Sequence, residues 1–335
     1  MDYATARRRP GGELTASLEM VPWQVQVLQV LTILGASPLV SGVIAKLEAV
    51  LQGRRGPRVL QPYYDLFKLF RKETLAPEGS SWFFLAAPMF AFSAYLTVPM
   101  LIPVLTSYPL PLGYTGDILG GGFILAAAGF AVAVAAAETR APFAQLGSSR
   151  SMTFAALIEP TILFVVFAVG LLTATDLPYA MAATLHSSTS QELRPSHILA
   201  AVAFFLVVLA DTARIPVETH SGTLELGMIG EAQALEHSGP ALALLTWGSA
   251  MKQMILYTIL VDVFVAPWGL GGSLQLGTVL VAVPVLVAKT LAVGAVFSVL
   301  DNSFSKLRLF KITELLAAAF VLALLAVLLF YLGGG

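Results

Sequence analysis

The sequence predicts an all-α integral membrane protein of about eight transmembrane helices plus a cytoplasmic amphipathic helix. Three observations predict it. Of 335 residues, 57% are hydrophobic and only 12% are charged, too little polar surface for a soluble domain. The mean hydropathy is +0.82, and several apolar runs reach the ~20 residues a helix needs to cross a bilayer. Those runs lack the alternation of lipid-facing strands, which argues for helices over a barrel.

Residues 1–21, opening "MDYATARRRPGGELTASLEM", form a polar tail. It has no apolar core followed by a small-residue cleavage site, so no cleaved signal peptide is expected. Residues 22–335 read as a single multi-span membrane domain. The spans fall at about 22–50, 82–105, 117–139, 152–175, 197–213, 240–266, 274–300 and 312–332. Most carry Gly or Pro, which membrane helices tolerate better than soluble ones. The fifth is the shortest and has room to extend into the polar stretch on either side.

Lys and Arg in the connections set the orientation. Connections at about 51–81, 140–151, 214–239 and 301–311 hold twelve of them. The opposite side holds four, with Arg7–Arg9 included. The basic connections are expected in the cytoplasm and both termini outside.

The first cytoplasmic connection contains "QPYYDLFKLFRKE". Pro62 suits a first helical turn. Tyr63, Leu66, Phe67 and Phe70 recur at helical spacing, with Asp65, Lys68, Arg71 and Lys72 elsewhere around the wheel. This predicts an amphipathic helix at the interface, a lipid anchor or a docking surface for a cytoplasmic partner.

Several function classes lose support. Cysteine is absent, so this chain holds no thiolate-ligated iron–sulfur cluster and no disulfide. His186, His197, His220 and His237 are scattered without ligand spacing, and no metal site is expected. "GDILGGGFIL" opens a membrane span, not a strand-to-helix turn, so its glycines read as helix packing and not as a nucleotide fingerprint. Ser148 and Ser149 lack a plausible His–Asp set, so no nucleophilic catalysis is expected. The net charge of −1 implies no nucleic-acid partner.

Ionisable groups inside spans carry the chemistry. Each costs about 2.5–3.5 kcal/mol at mid-helix on insertion scales, so it faces a cavity, a partner charge or the protein interior. Glu159 sits one third into the fourth span, Lys252 in the middle of the sixth, and Lys289 in the middle of the seventh. Asp262 lies near the outer end of the sixth. Glu138, Asp211 and Asp301 end spans on the cytoplasmic side. One reading makes Lys252 or Lys289 a helix-pinning ion pair. The other is a proton path, in which buried charges retune one another toward neutrality.

The connection "VETHSGTLELGMIGEAQALEHSG" has the same character. Between Asp211 and Gly239 there are five acids, Asp211, Glu218, Glu225, Glu231 and Glu236, against one base, Arg214. Leu224, Met228, Ile229 and Leu235 predict a helix lying on protein or membrane. Gly222, Gly227 and Gly230 weaken it by about 1 kcal/mol each.

Four motifs now stand in order: "QGRRGPRVLQPYYDLFKLFRKE", "LGSSRSMTFAALIEP", "ADTARIPVE…LEL…LEHSG" and "DNSFSKLRLFKITELL". Together they resemble the membrane subunit shared by respiratory complex I (its H subunit) and the energy-converting group 4 [NiFe] hydrogenases, including formate hydrogenlyase. The resemblance runs from about Ser41 to the last span. Only Arg58 and Val59 separate the "GP" element from the "LQP" element, which opens at Leu60; complex I members carry a longer insert there. "LIEP" and "VETHSGTLEL" also depart from the complex I pattern, so the hydrogenase branch is favoured.

The resemblance implies a non-catalytic oxidoreductase subunit in the cell's inner (cytoplasmic) membrane. It would join hydrogenase-like large and small redox subunits to antiporter-like membrane subunits. Iron–sulfur clusters and [NiFe] would belong to those partners, and this chain would hold no cofactor. The implied proton path draws on Glu159, Asp211, Glu218, Glu225, Glu231, Glu236, Lys252, Lys289 and Asp301. Docking or charge pairing falls to Gln61, Asp65, Lys68, Arg71, Arg150, Arg214, Lys306 and Arg308. The expected cycle is electrostatic: Glu225, Glu231 or Glu236 takes up a proton when the arm is reduced, and charge then shifts along Glu159, Lys252 and Lys289.

Departures from the hydrogenase-type pattern are Ser151 for Glu, Thr223 and Gly230 for His, and Asp301 for Glu. The alternative is the membrane subunit of a true complex I, forming the quinone cavity of an NADH-quinone oxidoreductase, with Arg214 at the Arg-Ala-Pro position. A free-standing ion transporter is a third reading. "ETRAPF" and "DTARIPV" echo each other too briefly to define the inverted repeat it would need.

Overall fold

The computed structural model describes residues 22–106, 108–113, 116–187, 194–212, 229–271, 276–303 and 309–332. Among these, the chain is helical with no strand, and one isolated bridge joins Thr106 to Gly271. Seven helices are long and apolar enough to cross a membrane. An eighth, shorter apolar helix, Pro195–Asp211, accompanies them. The fold is an all-α, multi-pass membrane protein.

The helices are α1 (Trp23–Leu51), α2 (Gln61–Phe70), α3 (Trp82–Leu101), α4 (Ile118–Glu138), α5 (Pro142–Thr173) and α6 (Pro178–Ser187). They continue with α7 (Pro195–Asp211), α8 (Gly230–Ala234), α9 (Gly239–Ile259), α10 (Leu276–Ser303) and α11 (Leu309–Leu332). A π-helical segment, Leu260–Val265, prolongs α9.

Caps explain several starts. Asp117 accepts from the Gly120 amide at 2.6 Å and opens α4. Ser81 opens α3 by accepting from the Phe83 amide at 3.1 Å, filling one of the donors a helix start leaves unpaired. Glu138 secures that cap. Its carboxylate accepts from the Ser81 amide and, at 2.9 Å, from the Ser81 hydroxyl. The acid that ends the third span therefore ties α4 to the start of α3.

Three elements differ from the sequence reading. α5 begins at Pro142, so most of the connection expected at 140–151 is helical. Pro142 supplies a preset φ at the first turn, and Ser148 buries its hydroxyl by donating to Ala133 O at 2.6 Å. α6 is a further short helix between the fourth and fifth spans. Of the helix expected from Leu224, Met228, Ile229 and Leu235, the part through residue 228 lies outside the described residues, and Gly230–Ala234 form the single turn of α8.

The core runs through the whole bundle. α3 bridges two groups, lying along α4 on one side and α9 on the other. Beyond α4 come α5, α7 and α11, and beyond α9 come α1 and α10. Tyr257 stacks flat on Phe297 at 5.0 Å, joining α9 to α10 with an aromatic pair worth roughly 1 kcal/mol beyond its buried area. Gln29, buried in α1, satisfies the frayed end of α3. It donates to Pro99 O at 2.5 Å and Ile102 O at 2.9 Å, and accepts from the Val104 and Leu105 amides. The helix ends at Leu101 and Pro103 has no N–H to offer Pro99 O, so those groups lack helical partners, and unpaired backbone is costly inside a membrane.

α2 lies across α9 and α1. Leu66 is buried, and Phe70 meets the Trp247 ring edge-on at 6.3 Å. Tyr63 donates to Gly35 O of α1. Phe67, expected on the same stripe, is 58% exposed and carries Arg71 over its ring at 4.0 Å. The buried face is therefore narrower than the apolar pattern.

Candidate functional site: an intramembrane charge cluster

Three spans deliver one cluster. Asp211, the last residue of α7, accepts from Lys252 Nζ of α9 at 2.6 Å. The two side chains are 20% (Lys252) and 17% (Asp211) exposed. Glu159 of α5 is half-buried and lies within electrostatic range of both. Tyr95 of α3 is buried and feels the same two charges. Its ring sits against Gly248, where an added Cβ would lie 3.0 Å from the ring. The small residue lets α3 and α9 approach, which brings the tyrosine to the cluster.

The cluster thus contains two carboxylates, one ammonium and one phenol. If both acids are ionised it carries one net negative charge. That charge sits among apolar helices, where Coulomb interactions are much stronger than in water. A proton is the smallest species able to neutralise it.

Lys289 stands apart from this cluster. It donates to Asp262 Oδ1 at 2.8 Å, Ala266 O at 2.7 Å and Trp268 O. Asp262 lies ten residues beyond Lys252, roughly 15 Å further along the helix at 1.5 Å per residue. Lys252 and Lys289 therefore each pair with a carboxylate of their own.

The acidic connection returns two of its acids to view. Glu231, exposed, starts α8, which seats on α5 at Gly147. A Cβ on Gly147 would come within 2.7 Å of Ala232 Cβ and 2.9 Å of Ile229 O. Glu236 is half-buried. Next to it, His237 is buried and stacks on Phe84 at 4.1 Å with 4° between the rings. Burial pushes His237 down to about 4, and neither ring nitrogen has a hydrogen-bond partner among the described residues. Ser238 then ties the connection to the first one, donating to Leu75 O at 3.3 Å and accepting from the Leu75 amide at 2.7 Å. Gly239 closes the seam at φ +54°. A Cβ there would sit 2.4 Å from Glu73 O, so both conformation and space require glycine.

Of the remaining sequence candidates, Gln61 donates to Asp65 at 2.9 Å on α2, where Lys68 and Arg71 are exposed. Arg150 is half-buried on α5, and Asp301 is in the last turn of α10. Arg214, Glu218, Glu225, Lys306 and Arg308 lie outside the described residues. Sequence reasoning missed Tyr95 and the buried His237. Nothing local marks Tyr95, because an aromatic in an apolar span reads as packing.

Comparison with known proteins agrees with this architecture. Formate hydrogenlyase subunit 4 of Escherichia coli is 29% identical over 301 residues, covering 90% of this chain and 96% of that protein. Hydrogenase-4 component C of the same organism is 28% identical, covering 89% and 92%. NADH-ubiquinone oxidoreductase chain 1 of Papio hamadryas is 26% identical, covering 90% and 93%. A chain of the membrane-bound sulfane sulfur reductase, an archaeal respiratory membrane complex, shares the fold. Its TM-score is 0.77 at 19% identity, covering 92% of this chain and 99% of that one. The family model described as NADH dehydrogenase matches residues 24–332, and the chain belongs to that family.

Proposed function

We propose that this chain is the membrane anchor and proton-coupling subunit of a hydrogenase or formate hydrogenlyase type complex in the cytoplasmic membrane. It links a cytoplasmic redox arm, whose own subunits carry iron–sulfur clusters and a [NiFe] site, to antiporter-like ion-translocating subunits. The observation that carries the reading is the meeting of Glu159, Asp211 and Lys252 from three spans. An ammonium bonded to one carboxylate, with a second carboxylate within electrostatic range, forms a group that gains from taking up one proton and gives it up when a neighbouring charge changes. Glu231 and Glu236 lie in the connection that follows Asp211, and supply the approach from the arm. The match to the two Escherichia coli subunits over about nine tenths of the chain and the short link between the "GP" and "LQP" elements support the hydrogenase branch.

Lys252 holds Asp211 in place and Glu159 exchanges the proton, with Tyr95 as a neutral neighbour able to donate or accept a hydrogen bond. The test is the ratio of protons translocated to electrons transferred in the purified, reconstituted complex. Glu159→Gln is expected to lower that ratio while electron transfer in the arm continues. An unchanged ratio in both Glu159→Gln and Asp211→Asn complexes would remove this cluster from the coupling path.

A further inference from the structure

Lys289 differs from Lys252 in how completely it is held. An ammonium has three N–H donors, and Asp262 Oδ1, Ala266 O and Trp268 O take all three. The indole of Trp268 adds a cation–π contact, with its centroid 5.0 Å from Nζ. The two side chains are only 9% (Lys289) and 10% (Asp262) exposed. The carbonyls come from the stretch where the α-helical register is lost. There α9 passes through its π segment and ends, so Ala266 O and Trp268 O have no next helical turn to bond to.

The surrounding chain holds those oxygens in place. The Gly271 amide donates to Leu105 O at 2.8 Å, which ties the stretch to the end of α3. Gly269 has φ +87°, and a Cβ there would lie 2.8 Å from Val285 and 3.7 Å from Lys289 Nζ. A side chain at that turn would be strained by the positive φ and would press on Val285. Asp262 Oδ2 is buried and has no hydrogen-bond partner among the described residues. A carboxylate and two backbone carbonyls from an interrupted helix are the donor set with which membrane transporters coordinate monovalent cations.

We propose that the end of α9 is a monovalent-cation site whose occupant is built in: the Lys289 ammonium takes the place of a free ion. The tethered cation holds α9, α10 and the 266–271 stretch together and keeps alkali ions out. It is not free to shuttle a proton, because every N–H is committed. Lys289 is thereby a positioning residue, distinct from the charges proposed to exchange protons. The site stands independently of the proposed coupling role, since its readout is stability.

The experiment uses the purified complex carrying Lys289→Ala, with thermal midpoints measured at equal ionic strength. The chlorides compared are methylammonium, sodium and tetramethylammonium. The variant in tetramethylammonium is expected to melt roughly 5 °C or more below wild type, as expected when a buried carboxylate loses its partner. Methylammonium restores most of that loss, and restoration by sodium would equally support a cation site. Wild type is expected to melt identically in all three salts. If no small cation restores the variant, or if tetramethylammonium does so equally, the proposal is overturned. Should Lys289→Ala not assemble, the double variant Asp262→Asn, Lys289→Met decides. It removes the need for a cation and is expected to assemble with no cation dependence. Failure of the double variant as complete as that of the single would overturn the proposal.

Discussion

Replacing Lys252 with Met leaves Asp211 without its partner and with Glu159 within electrostatic range. The wild-type Nζ–Oδ1 separation is 2.6 Å. At an effective dielectric constant of about 20, the gross attraction is about 6 kcal/mol. Much of it offsets the cost of taking both charges out of water. Removing one partner of a buried pair nevertheless costs about 3–5 kcal/mol, because the other charge is stranded. Residual exposure of 20% and 17% places this pair at the lower end, about 3 kcal/mol. Removing both charges, in Lys252→Met with Asp211→Asn, strands only Glu159 and is expected to recover most of the loss. Adding Glu159→Gln is expected to recover the rest. The assay is the thermal midpoint of the detergent-solubilised complex, where the single variants are expected to fall by roughly 5 °C or more. If the shifts of the two single variants simply add in the double variant, the pair is not energetically coupled. Glu159, Asp211 and Lys252 would then not act as a unit.

Other expectations follow from packing and burial. Gly42 and Gly35 lie in the same helix with opposite surroundings. A Cβ on Gly42 would lie 2.1 Å from Val59 O, whereas one on Gly35 would meet nothing within 4 Å. Gly42→Ala is expected to destabilise by at least about 1–3 kcal/mol through overpacking, and Gly35→Ala to be neutral or slightly stabilising. Complex yield and thermal midpoint report both. Burial holds the folded-state pKa of His237 at about 4, below its ordinary value of 6.5, so folding favours its neutral form. The stability this contributes is fully present above about 6.5 and is lost as pH falls toward 4. His237→Phe keeps an aromatic ring against Phe84 and is expected to flatten that part of the pH–stability profile. Glu138→Gln keeps one acceptor for Ser81 but weakens the charge-assisted cap, and is expected to cost about 1 kcal/mol.

The boundaries of most spans were legible because an α-helix that crosses a bilayer must be both long and apolar, and both properties are local. α5 escaped that logic over its first ten residues. "PFAQLGSSRS" is too polar to count as a span, yet a proline start and a buried serine carry the helix through it. α2 was legible as a helix but not in its orientation. Which apolar residues of a short amphipathic helix are buried depends on the neighbours, here α1 and α9, and Phe67 was left outside.

By itself, the sequence determined that charges sit inside the membrane, and on which spans. Desolvation makes each such residue expensive wherever it lies, so Glu159, Lys252, Asp262 and Lys289 stood out from composition alone. Only the tertiary structure decided who answers whom. Asp211 and Lys252 are 41 positions apart, and Asp262 and Lys289 are 27 apart. Pairing over such separations depends on which helices are neighbours and how each is rotated, and no local pattern encodes either. The same packing made two similar lysines different. Lys252 reaches a cluster with one more carboxylate than ammonium and some exposure. Lys289 meets the carbonyls left by the end of α9, which fix its ammonium from every side.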